Sequence, residues 1–374
     1  MAKKLHAFLF VCSVLLVFLL PYSSDRRIMY TVSDPKFSLL VSQEIIQHQT
    51  IRLDAYQDDP RIKSDYRIVT FGGHYYYFYP LGTPVLSVPA VWLANRLGMN
   101  MIDYENDIAL QHVLAAAACS VMFVLIYLIG RFFTGPWTSL VISLVGVLGT
   151  SIISSAGVAL WSFDYALVFV LTALWLALRL EYQRARRPWE AYALGACLFF
   201  AFFCRPGSAV FIGLALIYLA ALNWKYCAKA AGIFLVCLLG FMAFNQAEWG
   251  SLLPNYYGMR LFHHTQQTGK NIAGLLVSPS RGLFIFSPVF AVVLGVSAVL
   301  FRKLRPRPLA VLCLAWPIIL MMILADLTAW HGSHGFGPRL FTDAVPAFVV
   351  LNFMAAREVL LLKSRPVRLA VIAL

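Results

Sequence analysis

Apolar runs of the length that a bilayer demands recur along the whole chain. A hydrocarbon core about 30 Å thick needs roughly 20 consecutive apolar residues per helical crossing. Runs of this kind lie at 5–20, 108–130, 138–160, 165–180, 190–204, 207–223, 230–247, 286–301, 309–325 and 343–361. They predict an all-α polytopic membrane protein with ten crossings. A further apolar start at Val367 suggests an eleventh, cut short where the sequence stops, so that the chain reads as truncated there. The soluble alternative fails on composition: 60% of the residues are hydrophobic and 13% charged, where a soluble domain carries about a quarter charged.

Loop charge sets the orientation. Lys3-Lys4, Arg184–Arg187, Lys225 to Lys229, Arg302–Arg307 and Lys363–Arg368 all fall in short loops on one side, whereas of the 17 acidic residues only Glu181, Glu190 and Glu358 fall there. Short basic loops stay in the cytoplasm. The first run is then a signal anchor with its N-terminus inside; a cleaved signal peptide is the competing reading. The net charge of +13 is accounted for by this asymmetry, and no basic patch is interleaved with aromatics, so nucleic acid is not the expected partner. The seven cysteines lie in or beside apolar runs without a CxxC pair, which points to small core residues rather than zinc or disulfides. No Asn-x-Ser/Thr acceptor occurs, in keeping with a bacterial source.

Three segments on the outer side are long and rich in aromatic and ionisable residues: a first outer loop at 21–106, and loops at 248–287 and 326–342. In the first, Phe37, Leu40, Val41 and Ile45 share one helical face and Ser38, Ser42, Glu44 and Gln47 the other, the pattern of a helix lying in the membrane interface. Thr83 to Leu97 reads as a second interfacial or re-entrant helix. The cytoplasmic loops have too little polar variety for a catalytic site. Any chemistry therefore belongs to the outer face.

Four stretches in these segments carry a likeness. They are Ser33-Asp34-Pro35 with Leu53-Asp54; Gly73-His74-Tyr75 leading to Tyr79-Pro80-Leu81-Gly82-Thr83-Pro84; Asn245 through Trp249-Gly250-Ser251 and Tyr257 to Ser278-Pro279-Ser280-Arg281-Gly282; and Trp330-His331-Gly332 with Gly335-Phe336-Gly337-Pro338-Arg339. In this order they resemble the bacterial integral-membrane glycosyltransferases of the GT-C superfamily, relatives of the protein O-mannosyltransferases and the lipid A aminoarabinose transferases. The resemblance implies a single transmembrane glycosyltransferase domain over 1–374 in the inner membrane, with its active site facing the periplasm. It also implies an inverting transfer of sugar from a polyprenyl-phosphate donor to an envelope acceptor: lipid, glycan or protein. An acid in the first outer loop is the family's usual base, and Asp34 occupies that position. A carboxylate there takes the proton of an attacking hydroxyl, and the departing lipid phosphate calls for cations. Arg281 and Arg339 are the first candidates, followed by Arg260, Lys270, His331 and His334. His74, Tyr75, Tyr79 and Tyr257 form the expected sugar or acceptor platform.

Simpler readings compete at each position. Asp34 before Pro35 is a helix N-cap with proline at the first helical position. Asp54 is a solvated loop charge or a second acid. The tyrosines after His74 equally suit an interfacial aromatic belt. Asp164, Arg205 and Asp326 pair with one another or snorkel. His263-His264 and His331/His334 lack a carboxylate at matching spacing, which leaves a divalent metal open but unspecified. At the level of the whole chain, the rival is a transporter or flippase for a lipid-linked or small substrate; no internal repeat of the kind such folds use is visible.

Overall fold

The computed structural model describes residues 2–23, 34–157, 159–183, 187–257, 267–327, 330–332 and 337–362. Helix makes up 76% of it and strand 3%, so the all-α class holds. The principal helices are α1 (Ala2–Tyr22), α2 (Ser38–His48), α3 (Gly82–Arg96), α4 (Tyr104–Gly130), α5 (Pro136–Leu148), α6 (Ser162–Tyr182), α7 (Pro188–Cys204), α8 (Ala209–Trp249), α9 (Thr268–Val277), α10 (Val289–Leu300), α11 (Arg307–Ala325) and α12 (Val345–Leu360). Among the described residues, six segments are long and apolar enough to cross a membrane: Ala2–Tyr22, Tyr104–Gly130, Ser162–Tyr182, Pro206–Trp249, Arg307–Ala325 and Arg339–Leu360. Three shorter apolar helices, Pro136–Leu148, Pro188–Cys204 and Val289–Leu300, pack among them.

The helices form one bundle. α4 packs against α1, α5 and α6; α6 and α8 flank α7; and α11 joins α8 to α12, which also packs on α10 and α5. Such packing between apolar helices relies on close backbone approach rather than on expulsion of water. Gly195 of α7 shows how close: a Cβ built there would lie 2.2 Å from the Ala230 carbonyl oxygen of α8.

α8 is two helices rather than one. A straight helix of 41 residues would run about 60 Å, twice the hydrocarbon thickness. At Asn223 the backbone leaves the helical region (φ −162°, ψ 101°), and the Asn223 side chain accepts from the Tyr226 N–H at 3.1 Å, an N-cap for the second arm. Cys227 Sγ then reaches the Leu216 carbonyl at 3.4 Å, a contact that only a reversal of direction permits. The two arms coincide with the separate runs 207–223 and 230–247.

Two expectations need correction. The run 138–160 is not one helix: α5 ends at Leu148 and a π-turn follows at Ile152–Ala156. Gly149 lies at the break, and Thr150 turns its hydroxyl back on the Gly146 carbonyl at 2.7 Å, which competes with helix continuation. The segment expected in the membrane interface, α2, has both faces covered by protein. Its apolar side buries Leu39, Leu40 and Val41, and its polar side buries Ser42, Gln43 and Glu44. Each of those polar groups is satisfied: Ser42 by the Pro84 carbonyl, Gln43 by Asn100 and the Met101 N–H, Glu44 by Tyr56 and His48. Amphipathicity alone cannot distinguish a water-facing polar side from one that is internally hydrogen-bonded. α3 exposes Trp92, Leu93 and Leu97 along one side.

The stretch between α2 and α3 also holds a β-hairpin that the helical patterning hides. Strands β1 (Ile68–Phe71) and β2 (His74–Tyr77) pair antiparallel across Gly72-Gly73, both at positive φ. A two-residue hairpin turn requires that geometry, and glycine adopts it without strain.

Candidate active site

Strand alternation sends successive side chains of β2 to opposite faces, and this builds two polar clusters. On one face Tyr77 donates its hydroxyl to the Asp34 backbone carbonyl at 2.6 Å. Gln111 of α4 holds the next carbonyl, Pro35, at 3.1 Å. Asp34 is thus pinned through its backbone, and its carboxylate is left to meet other groups. It does not cap a helix: α2 begins at Ser38 behind Phe37, with no side-chain cap. Instead Arg339, 305 residues away, donates Nη2 to Asp34 Oδ2 at 3.0 Å. The Arg339 guanidinium lies 4.1 Å over the Trp161 ring, a cation–π contact that fixes its plane. Tyr79 hydrogen-bonds Asp34; burial and then the carboxylate's charge push its phenol well above the usual range, so it remains a donor. Tyr256 is held up likewise, first by burial, against the opposing pull of Arg205.

A second ion pair braces the first. Arg205, at the junction of α7 and α8, donates Nε to both oxygens of Asp343 at 2.7 and 2.6 Å and Nη1 to Ser162 at 3.3 Å. Burial works against its charge, but Asp343 outweighs that and keeps the guanidinium ionised. Asp343 belongs to the turn Arg339–Ala344, so the pair anchors the residue run that presents Arg339. Asp164, which the sequence offers as a partner for Arg205, is fully buried, and Arg205 takes Asp343 instead. Close by, Asp65 accepts from Lys36 at 3.0 Å and from Arg67 at 2.8 Å, closing the loop around Asp34.

On the other face of β2, His74 Nδ1 meets Asp54 Oδ2 at 2.6 Å and its Nε2 meets Arg52 at 3.1 Å. Arginine only donates, so Nε2 accepts and Nδ1 carries the proton toward Asp54. Arg52 Nε also donates to Glu248 at 2.6 Å, and Tyr76 donates to the same oxygen at 2.7 Å. The Tyr75 N–H donates to Asp54 at 2.8 Å. Burial alone would raise the Asp54 carboxyl, but this N–H and His74 outweigh it and hold it below the ordinary carboxylate range. Asp54 is therefore a bound, ionised anchor of the hairpin.

Between the clusters lies a cleft of about 140 Å³ walled by Tyr76, Phe78, Tyr79, Trp249 and Tyr256. Tyr257 is not part of it: its hydroxyl donates to the Phe203 carbonyl at 2.8 Å and its ring packs on Phe202 and Phe241. Tyr256 occupies the position that the sequence assigns to its neighbour. Arg281 lies within electrostatic range of Arg339, and burial and that like charge lower its pKa. Lys270 is exposed on α9 and His331 is exposed next to Trp330, their rings 5.9 Å apart. Arg260, His263, His264 and His334 lie outside the described residues. Among the described residues no group of three or more His, Cys, Asp or Glu side chains could hold a metal ion. No disulfide joins any of the seven cysteines.

No family model matches this chain, and no curated protein and no solved structure match it either.

Arg205 and Asp343 join the site through geometry that spacing did not carry. Asp343 sits at the start of an apolar run, where an acid is expensive without a partner; that signal was present in the sequence. Trp161 gave none.

Proposed function

We propose that this chain is an integral-membrane glycosyltransferase of the GT-C type, moving a sugar from a polyprenyl-phosphate donor to an envelope acceptor with inversion. One observation carries the reading: Asp34 and Arg339, from opposite ends of the chain, converge at 3.0 Å beside an aromatic cleft. Asp34 is the base. The acceptor oxygen bonds to the anomeric carbon, the bond from that carbon to the phosphate oxygen breaks, and the hydroxyl proton passes to Asp34. Arg339 presents five N–H donors, of which Asp34 uses one; the others, with Arg281, receive the departing phosphate. Aromatic faces at Tyr79 and Tyr256 suit a sugar ring.

Ten crossings follow if both arms of α8 and the three shorter helices also traverse the bilayer. The basic loops support one common side: Tyr182, next to the Arg184–Arg187 loop, donates to the Arg305 carbonyl at 3.4 Å, and Arg179 pairs with Glu190 at 2.8 Å. With that side in the cytoplasm, the Asp34 site faces the periplasm of a bacterial inner membrane. The test is release of polyprenyl phosphate from a panel of polyprenyl-phosphate sugars by purified protein in lipid vesicles with envelope extract. Donor-dependent release coupled to a glycosylated product supports the reading; no release with any donor overturns it.

A further inference from the structure

Arg339 is held in two chemically different ways. Its Nη2 donates to Asp34 Oδ2 at 3.0 Å, and its guanidinium carbon lies 4.1 Å from the centre of the Trp161 ring. The Arg339 side chain is 12% exposed and Trp161 3%, so the ring contact is largely desolvated, the condition in which a cation–π attraction is strongest.

Trp161 is itself fixed. It stands directly before α6, its N–H donating to the Ala159 carbonyl at 2.8 Å and its carbonyl accepting from the Asp164 N–H at 3.0 Å. Its ring stacks on that of Phe163, with centroids 5.9 Å apart and planes 12° from parallel, and Phe163 is fully buried. The next two side chains seat the second arginine. Ser162 accepts from Arg205 Nη1 at 3.3 Å, and the Arg205 guanidinium lies 5.3 Å over the Phe163 ring. Residues 161–163 thus seat both guanidiniums with two rings and a hydroxyl.

The two holds on Arg339 respond differently to the reaction. A carboxylate attracts by its charge and occupies an N–H, whereas an aromatic face attracts through its quadrupole and leaves the N–H donors unused. As the acceptor oxygen bonds to the anomeric carbon, the bond to the phosphate oxygen breaks and its electron pair stays with the phosphate. The hydroxyl proton passes to Asp34. Asp34 is then neutral, and its attraction for Arg339 falls away at the moment the phosphate gains charge. A cation tethered by Asp34 alone would be loosest when it is most needed. Trp161 has no charge to lose, and it does not compete with the phosphate as an anion would.

We infer that Trp161 is a positioning residue, which keeps Arg339 against the departing phosphate once Asp34 has been neutralised by the acceptor's proton. This rests on the transferase reading and adds to it the group that carries the phosphate-binding arginine through the step.

The test reads the hold first without donor. Phenylglyoxal modification of Arg339 in phosphatidylcholine vesicles, followed by mass spectrometry, reports how readily the guanidinium leaves its place. Trp161→Phe keeps a ring face and Trp161→Leu removes it. A ring-fluorinated tryptophan placed at position 161 by a suppressor tRNA keeps the indole shape and weakens the face. Each is made with Asp34 intact and with Asp34→Asn, which imitates the neutral carboxyl. Trp161→Leu should speed modification about threefold with Asp34 intact and about tenfold with Asp34→Asn, the latter equivalent to about 1.4 kcal/mol. The fluorinated ring should follow Trp161→Leu, and Trp161→Phe should fall between it and the wild type. In the transfer assay, inhibition by the product polyprenyl phosphate should weaken roughly tenfold in Trp161→Leu, while the acceptor concentration for half-maximal rate is unchanged. Loss of folded protein would lower the rate without moving the inhibition constant. The inference is overturned if the fluorinated ring leaves Arg339 reactivity unchanged, if the effect is the same with Asp34 intact and with Asp34→Asn, or if product inhibition ignores all three replacements. Modification needs no donor: unchanged reactivity overturns the hold even where the wild type transfers sugar, and an absence of transfer overturns the transferase reading with the hold intact.

Discussion

Removing either partner of the Arg205–Asp343 pair should both destabilise the bundle and disable donor binding. The side chains are 13% and 8% exposed, so neither charge can turn to water when the other is lost. With N–O contacts of 2.6 to 2.7 Å the charge centres lie roughly 3.5 Å apart, an attraction of about 5 kcal/mol at an effective dielectric near 20. Desolvation of two ions offsets most of that in the intact pair, which is why the pair itself adds little net stability. Deleting one partner removes the attraction and keeps the other ion's desolvation cost, a loss of about 3–5 kcal/mol. Arg205→Met and Asp343→Asn are each expected to lose about 3 kcal/mol, and the double variant less than the sum by about 2 kcal/mol, within the coupling seen for contacting charges. Reversible unfolding in mixed SDS–phospholipid micelles measures all four corners of the cycle. Single-variant losses that add to within about 0.5 kcal/mol in the double variant would refute the coupling. Because Asp343 shares a turn with Arg339, the double variant, with a stability loss of about 4 kcal/mol in place of the additive value of about 6, should lack donor affinity as each single variant does.

Other consequences are as direct. Asp54, Asp59 and Asp65 are all held below the ordinary carboxylate range; a depressed carboxyl contributes stability above its unfolded value, about 4, and loses it as pH falls through the lower folded value. Amide protection in Ile68–Tyr77, measured relative to the intrinsic exchange rate at each pH, should therefore fall on acidification below pH about 4, and Asp54→Asn should show the lower protection already at neutral pH; a hairpin whose protection is flat with pH contradicts the anchor. Gly195→Ala gains about 1 kcal/mol of helix propensity but forces a Cβ to 2.2 Å from a carbonyl oxygen, an overpacking cost of about 1–3 kcal/mol, so it should lower stability; a rise would show that α7 and α8 separate freely.

The helices were legible because the bilayer imposes a length and an apolarity that any run of the right kind declares. Their breaks were legible unevenly: the runs 207–223 and 230–247 already part at Asn223, whereas Gly149–Ser151 interrupt 138–160 with small or polar residues that hydropathy smooths over. The hairpin is readable in principle from Gly72-Gly73 between β-branched and aromatic residues, but the aromatic run from His74 to Tyr79 equally suits a sugar platform or an interfacial belt, and that pattern masks the strand. Asp34 shows where local pattern misleads. Asp followed by Pro is a good cap signal, and only the position of Arg339, contributed from 305 residues away, reveals that the carboxylate faces elsewhere. Tyr256 and Tyr257 are indistinguishable in sequence. One lines the cleft and the other packs on Phe241 because the turn Asn255–Tyr257 directs adjacent side chains apart.

The most direct test of the central claim is the rate of sugar transfer by Asp34→Asn beside the wild type, in the same vesicles and with the same polyprenyl-phosphate donor. Asparagine keeps the size and a hydrogen-bonding oxygen for Arg339 but cannot take a proton at neutral pH. General-base catalysis is worth about 10²–10⁴-fold, so kcat should fall by that factor while the donor concentration for half-maximal rate stays near the wild-type value. A variant that transfers at the wild-type rate would show that Asp34 is not the base.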